Sequence, residues 1–118
     1  MNYFTPEEFM CQHCQQQGIK KDIVDVLNIM RRECGFPFVV TSGYRCPDHP
    51  IEARKSKPGS HADGYAVDIG VRGEQALQVI RSAMKHGIKR IGVNQKGNGR
   101  FIHLDVDPNR VSPAIWSY

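Results

Sequence analysis

No apolar run in this chain approaches the ~20 residues that a membrane-crossing helix requires, so nothing in it reads as a bilayer anchor. An export leader of the usual kind is also not expected. The opening MNYFTPEEFMC sets Pro6, Glu7 and Glu8 where a signal peptide carries its apolar centre. The expectation is a product made in the cytoplasm that acts elsewhere only after release. There is no internal repeat, linker or low-complexity tract. Positive charge is in modest excess, at +4, and comes in short groups such as Arg54-Lys55-Ser56-Lys57 and Lys89-Arg90. Without a basic stripe interleaved with aromatics, specific nucleic-acid binding is not expected, although a polyanionic surface suits the charge.

Cysteine is sparse, and its spacing is incomplete for a familiar site. Cys11-Gln12-His13-Cys14 has the close pair of a zinc knuckle, but no second close pair follows. Cys34 and Cys46, or His13, are what a metal site there would have to draw on. A reducing cytosol disfavours structural disulfides, so the simpler expectation is free thiols in a small N-terminal subdomain. A thioredoxin-like redox role is disfavoured because no strand leads into the pair.

What is present fits one domain covering residues 1–118, with 40% hydrophobic and 24% charged residues. Thr5-Pro6-Glu7-Glu8 has the form of a capping box opening a short helical turn. Residues 20–33 read as a helix with Ile19, Ile23, Val26, Leu27 and Met30 on one stripe, stopped by Gly35. Residues 74–86 read as a second, with Ala76, Leu77, Val79, Ile80, Ala83 and Met84 toward the core and Gly87 ending it. Strands are expected at residues 37–41 (buried), 65–71, 88–93 and 101–106. A long polar loop occupies residues 42–61, and loops of ~15 residues in a compact domain are usually functional or disordered. Trp116 and Tyr118 in the tail read as packed cover.

Two polar clusters interrupt the apolar pattern. In Ser60-His61-Ala62-Asp63-Gly64-Tyr65-Ala66-Val67-Asp68, Asp68 sits between apolar Val67 and Ile69, and Gly64 permits a turn that carries His61 back toward it. In Phe101-Ile102-His103-Leu104-Asp105-Val106-Asp107, alternation puts His103, Asp105 and Asp107 on one face and the apolar residues on the other. Joining His103 to His61 and Asp68 gives two imidazoles and a carboxylate, three ligands that suit a catalytic zinc with its fourth position open. Spacing alone leaves this as one arrangement among several.

With Thr41-Ser42-Gly43-Tyr44-Arg45-Cys46-Pro47 and the opening Tyr3-Phe4-Thr5-Pro6-Glu7-Glu8-Phe9, these blocks resemble the zinc D-alanyl-D-alanine carboxypeptidase family of metallopeptidases, above all its small members from bacteriophages and prophages. The resemblance covers nearly the whole chain. It implies an α+β fold, a small antiparallel sheet with flanking helices, of the hedgehog/D-Ala-D-Ala-peptidase-like kind. It implies Zn2+ held by His61, Asp68 and His103, with a peptidoglycan stem peptide as substrate. Arg45 matches the family arginine that pairs with a substrate carboxylate or steadies the polarised carbonyl, and Ser60 a serine that helps hold the substrate. A guanidinium is suited to both of the roles given to Arg45. A monomer made in the bacterial cytoplasm, acting at the cell wall or in a phage particle, is the expectation.

The sequence departs from the family at the catalytic base. Where many relatives have a glutamate three residues before the last histidine ligand this chain has Arg100, and where others have a His-x-His pair it has Phe101. Asp105 is then either the base or a partner that orients His103. A rival register makes Asp105 the third ligand and His103 the base, and His49 is a further candidate for that role. The missing glutamate also keeps open a different class: a phage virion protein that binds zinc or wall without turnover.

Overall fold

The computed structural model describes residues 3–46 and 59–118, so His49, the Arg54 to Lys57 group and most of the expected long loop lie outside the described residues. Two helices pack on one face of a five-stranded sheet, and the other face carries the polar clusters.

Pro6–Phe9 forms a single 3₁₀ turn. The N–H of Thr5 donates to Glu8 Oε2 at 2.6 Å, as the capping box requires. Helix α1 spans Lys21–Cys34 and buries Ile23, Leu27 and Met30 at helical spacing. Gly35 ends it in the left-handed region, with its N–H returned to the Arg31 carbonyl. Helix α2 spans Gly73–Lys85 and buries Ala76, Val79 and Ala83. Leu77 and Met84, expected in the core, are instead 65% and 66% exposed. Seven residues apart, they share a stripe beside the one that meets the sheet; the small alanines let the helix sit close, and its outer flank stays in solvent.

The strands are β1 (Val40–Ser42), β2 (Ala66–Ile69), β3 (Arg90–Asn94), β4 (Phe101–Asp105) and β5 (Ala114–Ser117), in the order β1-β2-β4-β3-β5. The first four are antiparallel in their pairings. The tail expected as cover adds β5 parallel to β3, so the sheet is mixed. The first strand is shorter than expected and lies at an edge: Val39 is exposed, because only β2 pairs with this segment. Val67, Ile69, Ile91, Ile102 and Leu104 face the helices and form the core with Phe4, Phe9 and Phe38. At roughly 1.5–3 kcal/mol for each large apolar side chain buried, this layer supplies the main driving force for folding.

Opposite residues in neighbouring strands share a sheet face, and the register lines up one transverse row. Ser42 pairs with Asp68, Asp68 with His103, His103 with Gly92, and Gly92 with Trp116. A second row, one step along the same face, pairs Ala66 with Asp105 and Asp105 with Arg90. A bulge in β1 sets Val40 against Ile69 but Ser42 against the adjacent Asp68, which brings Ser42 into the first row.

The helices are joined by one exposed polar junction. Glu33 accepts from Ser82 Oγ at 3.1 Å, Lys85 Nζ at 2.9 Å and His86 Nε2 at 3.1 Å. Lys85 and His86 are the chief reason its carboxyl is lowered to about 2. A folded-state value below the unfolded one means the stabilisation is complete above about pH 4.5 and fades as pH falls through about 2. Glu33→Gln should therefore flatten the loss of stability across that acid window in urea titrations, and 1 M salt should shrink the difference because the network is exposed.

Candidate metal centre

His61 lies in the turn before β2, while Asp68 and His103 face each other across β2 and β4. Gly64 makes the return possible. Its φ is 79°, a Cβ there would run into the Gly18 carbonyl oxygen, and its N–H reaches back to the His61 carbonyl at 3.2 Å. The result is a compact cluster: His61 Nε2 is 3.2 Å from His103 Nδ1 and 3.3 Å from Asp68 Oδ1, and His103 Nδ1 is 3.0 Å from the same oxygen. All three side chains are buried.

The outer hydrogen bonds fix which ring atoms face inward. His61 Nδ1 donates to the Gly43 carbonyl at 2.7 Å, and His103 Nε2 donates to Asp105 Oδ2 at 2.7 Å. With those protons on the outer nitrogens, each ring turns its other nitrogen toward Asp68. Two ring nitrogens and a carboxylate oxygen within 3.3 Å of one another need a proton or a cation among them. One ligand atom from each residue lies within 4.8 Å of the other two, a group able to hold a metal ion. The donor set of two imidazoles and one carboxylate fits zinc.

The ionisation behaviour reports the same demand for positive charge. Burial opposes charge on Asp68, yet the His103 and His61 imidazoles beside it hold its carboxyl well below the usual carboxylate range. Burial likewise opposes charge on His103, but Asp105 and Asp68 push its pKa up.

Asp105 sits on the far side of His103 from this cluster. Its other oxygen accepts from Arg90 Nε at 2.6 Å and from the Asp107 N–H at 3.2 Å. Arg90 in turn lies over the Trp116 ring at 5.1 Å and donates to the Val111 carbonyl. The Asp105 side chain is fully buried, and stranding one partner of such a pair costs roughly 3–5 kcal/mol. Arg45 donates from Nε to Ser42 Oγ at 3.0 Å and from Nη2 to Asp68 Oδ2 at 3.4 Å. Ser60 Oγ donates to Asp107 Oδ2 at 3.0 Å, an oxygen shared with Arg110 Nε at 3.1 Å. Arg100 turns aside, with Nε on the Gly97 carbonyl at 3.0 Å.

Arg45, His61, Asp68 and His103 line a cavity of about 470 Å³, walled on the other side by Trp116 and Tyr118. A neighbouring cavity of about 570 Å³ shares Arg45 and Asp68 and adds Arg72 and Arg100. The sequence reading missed Arg90 and the wall formed by the tail. Its one signal was Gly92, because glycine inside a strand often marks a close approach. A Cβ there would meet Trp116 Nε1 at 2.6 Å, so the bare backbone admits the indole to lie 5.1 Å from the His103 ring.

Gathering acceptor atoms about one point beneath an open cleft is the requirement of a metal-dependent hydrolase, and comparison with known families leads to the same class. The model of the family described as Peptidase M15 matches residues 2–105. The chain belongs to that family, whose members are zinc D-alanyl-D-alanine carboxypeptidase-like enzymes. Among curated proteins it is similar to the X-linked retinitis pigmentosa GTPase regulator-interacting protein 1 of Homo sapiens, at 31% identity over 124 residues. That match covers 98% of this chain and 9% of the human protein, so the chain spans only a small part of that relative's length.

Gly92→Ala should displace the only tryptophan and destabilise the fold by roughly 1–3 kcal/mol. A changed Trp116 emission spectrum together with a lower urea midpoint is the expected result.

Proposed function

We propose that this chain is a zinc peptidase that hydrolyses bonds next to D-amino acids in peptidoglycan stem peptides, as a D,D-carboxypeptidase or an endopeptidase. The observation that carries the reading is the convergence of His61 Nε2, Asp68 Oδ1 and His103 Nδ1 at the floor of a cleft with Arg45 in its lining. These three residues would hold Zn2+, which when bound supplies Lewis acidity toward a carbonyl and a water.

The chain's own groups divide the remaining work. Asp105 keeps the proton of His103 on Nε2, so that Nδ1 stays a ligand atom, and Arg90 holds Asp105 in place. Arg45 offers its guanidinium to a substrate carboxylate or to charge developing at the reacting carbonyl. Arg72 and Arg100 in the adjoining cavity extend the positive rim for an anionic stem peptide. The Ser60 hydroxyl, already donating to Asp107, retains acceptor capacity for a substrate N–H. Burial pushes the Tyr118 phenol up, so it keeps its proton and is available as a donor from the cleft wall.

A second reading, a zinc-dependent wall-binding protein such as a phage virion component, is favoured by the sequestration of Asp105. A general base works best with a pKa near the working pH. Asp105 is occupied by Arg90 and His103, and those two partners hold its carboxyl below its ordinary value although burial opposes this. Among the described residues lining the cleft, Asp68 and Asp105 are the only carboxylates.

Zinc-loaded protein incubated with peptidoglycan fragments should release product that His61→Ala does not. Free D-alanine identifies a carboxypeptidase, and shortened stems or opened cross-links an endopeptidase. Zinc bound at a site that His61→Ala abolishes, without any product, sinks the enzyme reading and leaves the binding one. Asp105→Asn separates its two roles. As a positioning residue it should weaken zinc binding about 10–100-fold and regain near-normal kcat at saturating zinc. A kcat that stays down about 10²–10⁴-fold with zinc bound would make it the base after all.

A further inference from the structure

A second cluster of metal-binding groups lies away from the cleft and plays no part in the peptidase reading. The Sγ atoms of Cys11, Cys14 and Cys46 all fall within 4.8 Å of one another. His13 Nδ1 is 3.9 Å from Cys46 Sγ. Cys34 is elsewhere, with its thiol against the Gln78 carbonyl beside α2. We infer that Cys11, Cys14 and Cys46, completed by His13, form a structural zinc site that ties the N-terminal segment to the loop bearing Arg45.

The local backbone is built as a knuckle. The N–H of Gln15 bonds the Cys11 carbonyl at 2.8 Å, and the N–H of Cys11 bonds the Gln16 carbonyl at 2.9 Å. Gln15 sits at φ 57°, the one non-glycine residue with positive φ among those described. A left-handed residue directly after Cys14 reverses the chain so sharply that Cys11 and Cys14 turn their sulfurs to one side. The N–H of Cys46 donates to Cys11 Sγ at 3.3 Å, the kind of outer hydrogen bond that supports a ligating thiolate. Tetrahedral zinc with Zn–S near 2.3 Å and Zn–N near 2.0 Å spaces its ligands about 3.5–3.8 Å apart. The Cys46 to His13 separation is already close to this.

Disulfide formation is the competing use of these thiols, and the count decides against it. No disulfide joins any of the four cysteines. A bridge between any two of the cluster would leave the third thiol beside it unused, whereas a single zinc engages all three, and soft thiolates favour zinc. Cys11 and Cys46 are buried while Cys14 is half-buried and His13 exposed, so the metal has a way in from the knuckle side. The consequence for the fold is a clamp. Cys46 adjoins Arg45, and the Tyr44 N–H already reaches the Phe9 carbonyl at 2.8 Å. The metal would add a further tie to the same loop.

The test uses the whole chain, purified with reductant and loaded with zinc, then freed of loose metal. Titrating its thiols with an organomercurial should release one equivalent of zinc to a chromophoric chelator, from wild type and from His61→Ala alike. Cobalt-loaded protein should show the intense thiolate-to-metal charge-transfer absorption of a tetrahedral site. That absorption should persist in His61→Ala, weaken in His13→Ala and be lost in Cys14→Ser. Thiols that titrate without releasing zinc overturn the inference, as does a disulfide among the three in reductant-purified protein. If Cys14→Ser fails to fold, the wild-type titration decides alone. Because the His61 variant leaves this site intact, failure here and failure of the peptidase reading give different results.

Discussion

The pairing of Asp68 with His103 across β2 and β4 is the constraint on which the polar face depends. A strand has a side-chain period of two, so slipping either strand by one residue would move its polar group into the helix-facing core and bring Val67 or Leu104 to the cleft. The apolar layer forbids that slip, because Val67, Ile69, Ile102 and Leu104 are all fully buried. The same hydrophobic burial that stabilises the fold thus holds two of the three candidate ligands in position. The loop turned by Gly64 has only to bring in His61.

The support for this pair follows the same geometry. One step along the sheet, Arg90 stands opposite Asp105, whose side chain is fully buried while Arg90 keeps a partly exposed edge. A buried ion pair is seldom a large net source of stability. Here its value is in orientation: Asp105 dictates the tautomer of His103, and Arg90 dictates the position of Asp105. The β1 bulge completes the row by turning Ser42 toward Arg45, so the guanidinium is steadied by the sheet as well as by Asp68.

Much of this was legible in the sequence wherever a simple period applied. The alternation from residue 101 to 107 separated core from polar face, and the stripe of Ile23, Leu27 and Met30 marked α1. The three residues singled out as zinc ligands are also those the structure brings together. What escaped depended on partners distant in the chain. Nothing local distinguishes Trp116 in a parallel edge strand from a residue that merely covers the core, since its place is set by pairing with Gly92. Arg90 reads as part of a surface basic group until β3 is laid beside Asp105. The three cysteines lacked the expected second close pair because the third thiol comes from a loop more than thirty residues away, and only folding brings Cys46 against Cys11. Leu77 and Met84 matched a helical apolar stripe, but periodicity does not say how wide a face the sheet will cover.

The two kinds of backbone around the cleft also divide what can change from what cannot. At its floor Asp68 and His103 inherit their spacing from strand hydrogen bonds and His61 is fixed by the Gly64 turn, whereas Arg45, Arg72 and Arg100 project from irregular segments after β1, before α2 and between β3 and β4. Variation at those three positions can alter the charge and reach of the rim one segment at a time while the floor keeps its geometry. Such a scaffold lends itself to diversification: descendants of one ancestor can acquire new preferences for the peptide they meet without rebuilding the chemistry beneath it.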